Sequence, residues 1–385
     1  MVSSGNNQVV PPEAEEIEVS IFGPGFGECI LLHLTGGQWG VVDSCLDPGS
    51  KRPAALHYLE SLGVNVAVSV RFIIATHWHD DHVQGMSGVF QQAKAAVFAC
   101  SEAVREQEFL TVLGAWPGIR SLACGSGVDE LRAVLVELKK RQVATRYPAP
   151  RLASANKVLW EMASNPSVVV KALSPSDAAV TASIARLREI SPSVSKARRR
   201  LPNLGSNDTS VVLSVRVGEH HVLLGADLEV RNDRGFGWMA IVDGIAGGRA
   251  AHQGFKVAHH GSDNGDHDEI WNRMLVPQPW AVTTPFVSGR VRLPSGNDCR
   301  RILNRTRRAY LTAPPDPGRF RDANRVVEKM VSEATISAQF VPSKYGHVRL
   351  RKRVDQKVDS EWRVEMFGDA VRLEDYLHRV RENWS

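Results

Sequence analysis

The most chemically active part of this sequence is the segment THWHDDH at residues 76–82. Buried polar side chains need partners and buried charges are costly, so a metal ion is the obvious partner for such a cluster. In an extended or tightly turned loop, His77 and His79 point to the same side and can bind one ion, while Asp81 and His82 follow closely enough to bind a second. Mixed nitrogen and oxygen ligands suit Zn²⁺ first, then Mn²⁺ or Fe²⁺.

The element that must position this segment is the apolar run SVRFIIAT at residues 69–76. A short, nearly continuous apolar run is typical of a buried strand, and this one delivers the chain directly into the histidines. Within the segment, we expect Trp78 to be a pocket wall or a packing residue. We expect Asp80 to be a cap or an acceptor of hydrogen bonds that support the ligands.

The spacing His-x-His-x-Asp-His resembles the signature of the metallo-β-lactamase fold, an αββα sandwich of hydrolases that use one or two metals. The resemblance implies that Asp43, at the end of the strand GVVDS, orients the metal-binding loop, and that Asp227, in HVLLGAD, bridges two metals. It further implies that KVAHHGS holds the late histidine motif. There we expect His259 to bind metal and His260 to act as an acid or as a phosphate contact.

One ligand of this fold has no clear counterpart in the sequence. Many members supply a separate histidine between the histidine segment and the bridging aspartate, where this chain has only His220 and His221, on a hairpin turn. Asn207 or Asp208 is the alternative, as a ligand or as a support for the ligands. If neither serves, the first metal has a weaker site. Cys45 is a ligand in some sulfur-using relatives, but a buried small residue is the expectation here.

Several shorter sequence motifs resemble the branch of this fold that contains the hydrolase domain of ComEC-type DNA-uptake proteins. The similar stretches are ALSP at 172–175, NDTSVVL at 207–213, LLGAD at 223–227 and KVAHHGSDN at 256–264. The resemblance covers roughly residues 17–294, and it implies a nucleic acid or another phosphodiester as substrate.

The chemistry expected of such a centre is hydrolysis. Two metals would share a bridging water, lower its pKa from about 15.7 towards about 7, and present hydroxide as the nucleophile. Asp81 would hold a metal at the reacting centre, and a metal-bound water or His260 would protonate the leaving oxygen. Because the fold hosts several chemistries, two alternatives stay open: a hydrolase of a small-molecule ester, thioester, lactone or nucleotide, and a non-catalytic metal-binding scaffold.

Composition places the chain among soluble globular proteins. It has 385 residues, 43% of them apolar and 23% charged, which excludes wholesale disorder. Neither a long apolar run nor a signal-like start is visible in the sequence, so no membrane partner is expected. The five cysteines are scattered without a Cys-x-x-Cys pair, which favours reduced thiols and a cytoplasmic location.

The positive charge is concentrated towards the C-terminus. The net charge is +5, and residues 286–385 alone carry 21 Lys and Arg against 13 Asp and Glu. Two interpretations remain open: a solvated surface of Arg-rich helices and strands, or contact with a phosphate-rich partner through segments such as 198–200 and 300–308. Aromatic residues make up only 7% and do not alternate with basic ones, so base stacking is not indicated.

We predict three parts along the chain. Residues 1–16 form a disordered tail, residues 17–294 form the metallo-β-lactamase domain with a helical insertion at about 101–165, and residues 295–385 form a basic C-terminal α+β extension packed on that domain. Residues 17–45 predict three antiparallel strands with a hairpin at Gly36-Gly37. HVRLRKRV at 347–354 and EWRVEMFG at 361–368 predict exposed or edge strands. Nothing in the sequence indicates the oligomeric state.

Overall fold

The computed structural model describes residues 10–23, 27–103, 126–189, 206–245, 251–288, 291–315 and 344–382. Two predictions lie outside these residues: the basic segment at 198–200 and the reduced state of Cys124. The predicted tail lies outside them up to residue 9. Its described part is held against the C-terminal half of the chain, since Arg351 donates to the Val10 carbonyl at 2.6 Å.

Eight strands form the first sheet. The hairpin expected at Gly36-Gly37 is confirmed, with both glycines at positive φ between two antiparallel strands. Strands β3, β4, β5 and β6 are mutually parallel, so their carboxyl ends lie at one edge. In spatial order the sheet runs β17 (Arg363–Gly368), β16 (Gly346–Arg353), β1 (Glu16–Gly23), β2 (Cys29–Leu34), β3 (Trp39–Val42), β4 (Val70–Ala75), β5 (Val97–Ser101) and β6 (Arg151–Ala153).

The second sheet also has eight strands. The hairpin turn expected beside His220 and His221 lies at Gly218-Glu219 and joins two of them, which pair antiparallel. The order is β18 (Val371–Arg372), β15 (Ala309–Leu311), β12 (Leu275–Thr283), β11 (His252–Lys256), β10 (His220–Leu224), β9 (Leu213–Val217), β8 (Val168–Ala172) and β7 (Val158–Met162). A separate hairpin consists of β13 (Phe286–Ser288) and β14 (Val291–Leu293).

Helices cover the outer faces of both sheets. In the described part of the chain, none of them combines the length and apolar character needed to cross a bilayer. Their bounds are α1 Ala54–Ser61, α2 Val66–Ser69, α3 Asp80–Val83, α4 Met86–Gln92, α5 Ser126–Ala144, α6 Asp177–Glu189, α7 Gly237–Asp243, α8 Asp268–Met274, α9 Gly296–Arg305 and α10 Leu373–Glu382.

Alternation along the strands explains the layering. In β2, Ile30 and Leu32 face the second sheet, while Leu31 between them faces the helices, because successive side chains point to opposite faces. A central core of residues such as Phe72 and Val170 separates the sheets. Two further cores lie between each sheet and its helices. The chain is therefore an αββα sandwich with a helical segment and C-terminal strands, as the sequence predicted.

The segment predicted as a helical insertion, about 101–165, differs from that prediction in its second half. Among its described residues only α5 is helical, and β6 and β7 add edge strands to the first and second sheet. The polar stretch around Pro148 and Pro150 separates these strands from the helix. Their apolar runs are too short to be recognised as strands from hydrophobic periodicity.

The C-terminal strands also differ from expectation. β16 was predicted to be exposed or at an edge, but it pairs with β1 on one side and β17 on the other. Seven of its eight positions are buried, including Arg349 and Arg351. These arginines are tolerated because acids pair with them: Arg351 lies 2.6 Å from the buried Glu18, and Arg349 donates to the partly buried Glu365 at 2.9 Å. Of these two C-terminal strands, β17 lies at the edge of the sheet.

Candidate metal centre

The histidine segment leaves the carboxyl end of β4 beside the end of β3, which carries Asp43. Asp43 accepts hydrogen bonds from the backbone N–H and the hydroxyl of Thr76, at 2.8 and 2.7 Å. Its Oδ2 also lies 2.7 Å from Nδ1 of His82. Asp43 is fully buried, so one carboxylate fixes both the start of the segment and the ring of His82. The role predicted for Asp43, to orient the loop, stays a prediction that these contacts support.

The first group of potential ligands contains His77, His79 and Asp227, whose ligand atoms lie within 4.8 Å of one another. Nε2 of His77 is 3.1 Å from Nδ1 of His79 and 3.9 Å from Oδ2 of Asp227. The two histidines are thus on the same side of the loop, as their spacing predicted. Three protein ligands leave a coordination position open, which is the arrangement of catalytic rather than structural metal sites.

The second group consists of Asp81, His82, His260 and the same aspartate, Asp227. Oδ2 of Asp227 is 3.3 Å from Nε2 of His82 and 3.4 Å from Nε2 of His260. Oδ2 of Asp81 lies 3.6 and 3.1 Å from the same two nitrogens. Asp227 therefore belongs to both groups, as the bridging position predicted for it requires. It reaches this place on a turn after β10, where Ala226 has a φ of 45°.

The residues present fit divalent metal ions. Nε2 of His82 and Oδ1 of Asp227 are buried and have no hydrogen-bond partner. The carboxylates of Asp43, Asp81 and Asp227 are buried without a Lys or Arg partner among the described residues. Burying charge in this way is expensive unless cations compensate it. Nitrogen and carboxylate donors in these two groups would hold two ions of the Zn²⁺, Mn²⁺ or Fe²⁺ type.

Without metal, the same groups shift the pKa of their neighbours. Burial alone would lower the pKa of His260, but the carboxylates of Asp227 and Asp81 raise it to about 9. Burial would also lower the pKa of His82, but the nearby carboxylates outweigh this effect and raise it well above its usual value. Conversely, burial would raise the pKa of Asp227, and the neighbouring imidazoles hold it well below its usual range. The metal-free centre therefore holds protons on imidazoles next to carboxylates.

These shifts predict that stability depends more strongly on pH in the metal-free protein than in the metal-loaded protein. A raised histidine pKa contributes stability that is complete below about 6.5 and is lost as the pH rises through about 9, on the order of a few kcal/mol. We expect the thermal midpoint of the metal-free protein to fall between pH 7 and pH 10. Metal-bound imidazoles are already neutral, so the loaded protein should lose less over that interval. Calorimetry of both forms measures this, and an unchanged midpoint of the metal-free form would contradict it.

The structure reverses our assignment of the adjacent histidines. His260, not His259, reaches the metal centre. Nδ1 of His259 lies 2.8 Å from Oδ1 of Asn264, and its Nε2 lies 3.4 Å from Nδ2 of Asn207, so both ring nitrogens are engaged outside the two groups. Nε2 of His260 points between the two aspartates, and its Nδ1 faces the Thr284 carbonyl at 3.1 Å. Neither nitrogen of His260 is directed outward as an acid would be.

The candidates for the missing ligand lie elsewhere. Asp208 is held by Arg186 at 3.3 Å and Arg231 at 2.6 Å. Asn207 donates to Glu229 at 2.9 Å, on the rim beside His259. His220 contacts the Val354 carbonyl, and the ring of His221 packs edge-on against that of His252. None of the four belongs to either ligand group, so the described residues leave the first group with three ligands.

Trp78, Asp80 and Cys45 lie outside the two ligand groups. Trp78 is buried in the core between the first sheet and its helices. Asp80 accepts a hydrogen bond from the backbone of Gly127 at 2.6 Å, which connects the segment to the first turn of α5. Cys45 is fully buried and adjoins Gly27, as a small packing residue would.

Glu28 was not among the site residues predicted from the sequence. It is fully buried, and its carboxylate lies within 4.8 Å of the ligand atoms of His82, Asp227 and His260. Lys256, equally buried, lies 2.5 Å from it. The only signal was a charged residue at the boundary of an otherwise apolar strand in each case, FGECILL and GFKVA.

Comparison with known proteins agrees with this arrangement. The sequence model of the metallo-β-lactamase superfamily matches residues 22–264, more than half of the chain and all of both ligand groups. The chain therefore belongs to the metallo-β-lactamase superfamily, whose metal-dependent hydrolases share this fold. A search of curated proteins found no match.

Solved structures are similar only at a distance. A mutant metallo-β-lactamase from Cronobacter sakazakii is 18% identical over 59% of this chain and 69% of its own, with a TM-score of 0.30. The metallo-β-lactamase fold protein YhfI from Bacillus subtilis is 14% identical over 57% of this chain and 66% of its own, with a TM-score of 0.28. A metallo-β-lactamase from Hirschia baltica is 8% identical over 57% and 70%, with a TM-score of 0.26. At these scores, the similarities carry no argument about substrate.

Proposed function

We propose that this protein is a metal-dependent phosphodiesterase with two Zn²⁺ ions, or Mn²⁺ or Fe²⁺ in their place. The observation that carries the proposal is the sharing of Asp227 between two ligand groups. Two ions held close together by one carboxylate suit in-line displacement at phosphorus, because both the attacking and the leaving oxygen need charge compensation. The sequence resemblance to the hydrolase domain of ComEC-type proteins supports the same reaction class.

The ions would supply Lewis acidity, activating water as the nucleophile and neutralising charge on the phosphoryl oxygens. The protein's own groups do the positioning. Asp43 holds His82, and the hydroxyl of Ser210 lies 3.4 Å from Nδ1 of His77. Of the ligands, His79 alone is only half-buried, so the substrate enters the centre from its side.

The β13–β14 hairpin adjoins the centre and carries an exposed arginine. The ring of Phe286, which begins the hairpin, lies 5.2 Å from the ring of His260. Arg292, on the second strand, is exposed. An arginine at this place suits a phosphate oxygen of the substrate, since its planar fork matches the anion.

The arginines around 300–308 contribute less to phosphate binding than the sequence suggested. Arg301 pairs with Asp266 and Asp298, Arg305 with Asp268, Arg307 with Glu374 and Arg308 with Glu361. These acids neutralise the cations locally. A nucleic acid remains our proposed substrate, with its backbone held by few protein cations and chiefly by the metals. The salt dependence of binding should then be shallow, with a slope of about −1 to −3 in a plot of log K against log salt concentration.

The test is hydrolysis of a chromogenic phosphodiester by metal-free protein reconstituted with Zn²⁺ or Mn²⁺. We expect turnover that a chelator removes and that added metal restores. Parallel assays use single- and double-stranded DNA at increasing salt, together with a chromogenic ester, a thioester and a lactone. If the protein binds metal but cleaves only the ester, the thioester or the lactone, it is a small-molecule hydrolase instead. If it binds metal without any turnover, the non-catalytic metal-binding scaffold is favoured.

We also propose that the protein works in the cytoplasm. Cys29, Cys45, Cys100 and Cys299 are all free thiols in the structure, and a reducing compartment keeps thiols in this state. Localisation of the tagged full chain by microscopy or by cell fractionation tests this proposal.

A further inference from the structure

A buried ion pair joins the two sheets beneath the metal centre. Glu28 immediately precedes β2 of the first sheet, and Lys256 is the last residue of β11 in the second. Both side chains are fully buried, and Nζ of Lys256 lies 2.5 Å from Oε2 of Glu28. Fully buried lysine and glutamate are rare and expensive even when paired, so a packing role alone accounts poorly for them.

The backbone brings Glu28 against the helix that carries two ligands. Its N–H donates to the carbonyl of Asp81 at 2.8 Å. The preceding Gly27 has a φ of 108°, and a Cβ there would lie 2.9 Å from the same carbonyl oxygen. Glycine is therefore required at this close approach. The position of Glu28 is coupled directly to that of Asp81.

Glu28 also acts on His260 through Thr284. The Thr284 hydroxyl donates to Oε2 of Glu28 at 2.6 Å, which fixes the residue whose carbonyl faces Nδ1 of His260 at 3.1 Å. A carbonyl can only accept, so Nδ1 of His260 carries a proton. Nε2, which faces Asp227, is therefore the nitrogen that a metal ion would bind after displacing the second proton.

The second oxygen of Glu28 faces His82. Oε1 lies 3.6 Å from Nδ1 of His82 and has no hydrogen-bond partner. That nitrogen already donates to Asp43. Oε2 of Glu28 lies 4.0 Å from Nδ1 of His260, so the negative charge of Glu28 lies beside the Nδ1 atoms of both histidines, whose Nε2 atoms face Asp227. A carboxylate behind a ligating imidazole orients the ring and increases its basicity.

Lys256 extends the same connection to the bridging ligand. Its ammonium donates to the carbonyl of Ala226 at 3.3 Å, one residue before Asp227. The pair thus contacts the turn that presents Asp227 as well as the residue that orients His260. Three ligands of the second ion are held through one buried ion pair.

We propose that Glu28, held by Lys256, is a positioning residue that sets the affinity and geometry of the second metal ion. The inference rests on the two-metal centre of the proposed function but not on its phosphodiester substrate. It is therefore tested by metal binding, and it stands or falls independently of whether a phosphodiester is cleaved.

The experiment replaces Glu28 by glutamine, which keeps the shape but removes the charge. Zn²⁺ binding to metal-free protein is measured by competition with a chromophoric chelator, and the ligand field is measured from the visible spectrum of the Co²⁺-loaded protein. For Glu28→Gln we expect the second ion to bind about 10- to 100-fold more weakly, with a changed Co²⁺ spectrum and an unchanged first ion.

Glu18 provides a matched control. It is equally buried, lies in the adjacent strand β1 and pairs with a buried cation, Arg351, at 2.6 Å. It belongs to neither ligand group. Glu18→Gln should therefore lower the thermal midpoint as Glu28→Gln does, but leave the affinity for both ions and the Co²⁺ spectrum as in the wild type.

A double variant separates positioning from fold stability. Glu28→Gln with Lys256→Met removes both buried charges and should recover thermal stability relative to Lys256→Met alone. If Glu28 positions the ligands, the second ion remains weakly bound in this variant. Wild-type affinity and an unchanged Co²⁺ spectrum in Glu28→Gln, or in the double variant if the single one does not fold, would overturn the inference.

Discussion

Replacing Asp227 with alanine should lower kcat/KM by at least about 10³-fold, equivalent to about 4 kcal/mol of transition-state stabilisation. Asp227 is the one residue common to both ligand groups in the described part of the chain. Its Oδ2 lies 3.3 and 3.4 Å from the ligand nitrogens of His82 and His260. Without it, no carboxylate connects the two groups, so we also expect fewer than two bound ions. Elemental analysis beside the turnover assay measures both effects.

Asp208→Ala is the control for Asp227→Ala. Asp208 is also a partly buried acid near the centre, but it pairs with Arg186 and Arg231 instead of reaching the ligand groups. Its replacement should leave two ions bound and reduce the turnover only slightly. Retention of both ions by Asp227→Ala, or an equal loss in both variants, would show that Asp227 is not the bridging ligand.

Replacing His260 with alanine should remove the second ion and lower kcat/KM by at least about 10²-fold, or about 3 kcal/mol. Nε2 of His260 lies 3.1 Å from Asp81 and 3.4 Å from Asp227, so its loss leaves a gap in the second group. The adjacent His259 is engaged by Asn264 and Asn207 outside the groups. His259→Ala should keep both ions and lose less than about tenfold in activity, because it removes only hydrogen bonds.

The comparison of the His259→Ala and His260→Ala variants decides which of the two histidines binds metal. The motif suggested His259 as the ligand, whereas the geometry selects His260. Metal content and activity are measured for both variants in parallel, and their thermal midpoints show whether either loss is due to unfolding. Loss of the second ion from His259→Ala, with both ions retained in His260→Ala, would restore the assignment that the motif suggested.

Much of the fold was predictable from local patterns. The hairpins at Gly36-Gly37 and at Gly218-Glu219 lie where glycine-containing turns separate apolar runs. The apolar run before His77 forms β4, as expected of a buried strand in a parallel part of a sheet. The place of β16 was not predictable in this way, because its arginines suggest a solvent-exposed strand until the acids that pair with them are known.

Glu28 and Lys256 show the same limitation within the site. Each is a single charged residue beside an apolar run, and nothing in either local segment indicates a partner. The two lie in different sheets and far apart in the chain, yet their charged atoms are 2.5 Å apart. Such a pair becomes visible only when the sheets are packed together.

The sequence alone indicates metal chemistry, because three imidazoles and a carboxylate at the spacing of His77 to His82 require a compensating partner wherever they are buried. The choice between His259 and His260 depends on tertiary structure. Both residues have positive φ, 46° and 53°, so the turn directs their side chains in ways that residue type does not specify. The ring that contacts Asp227 is then decided by how β10 and β11 lie beside each other. These parallel strands carry Asp227 and the two histidines, respectively, to the same edge of the sheet.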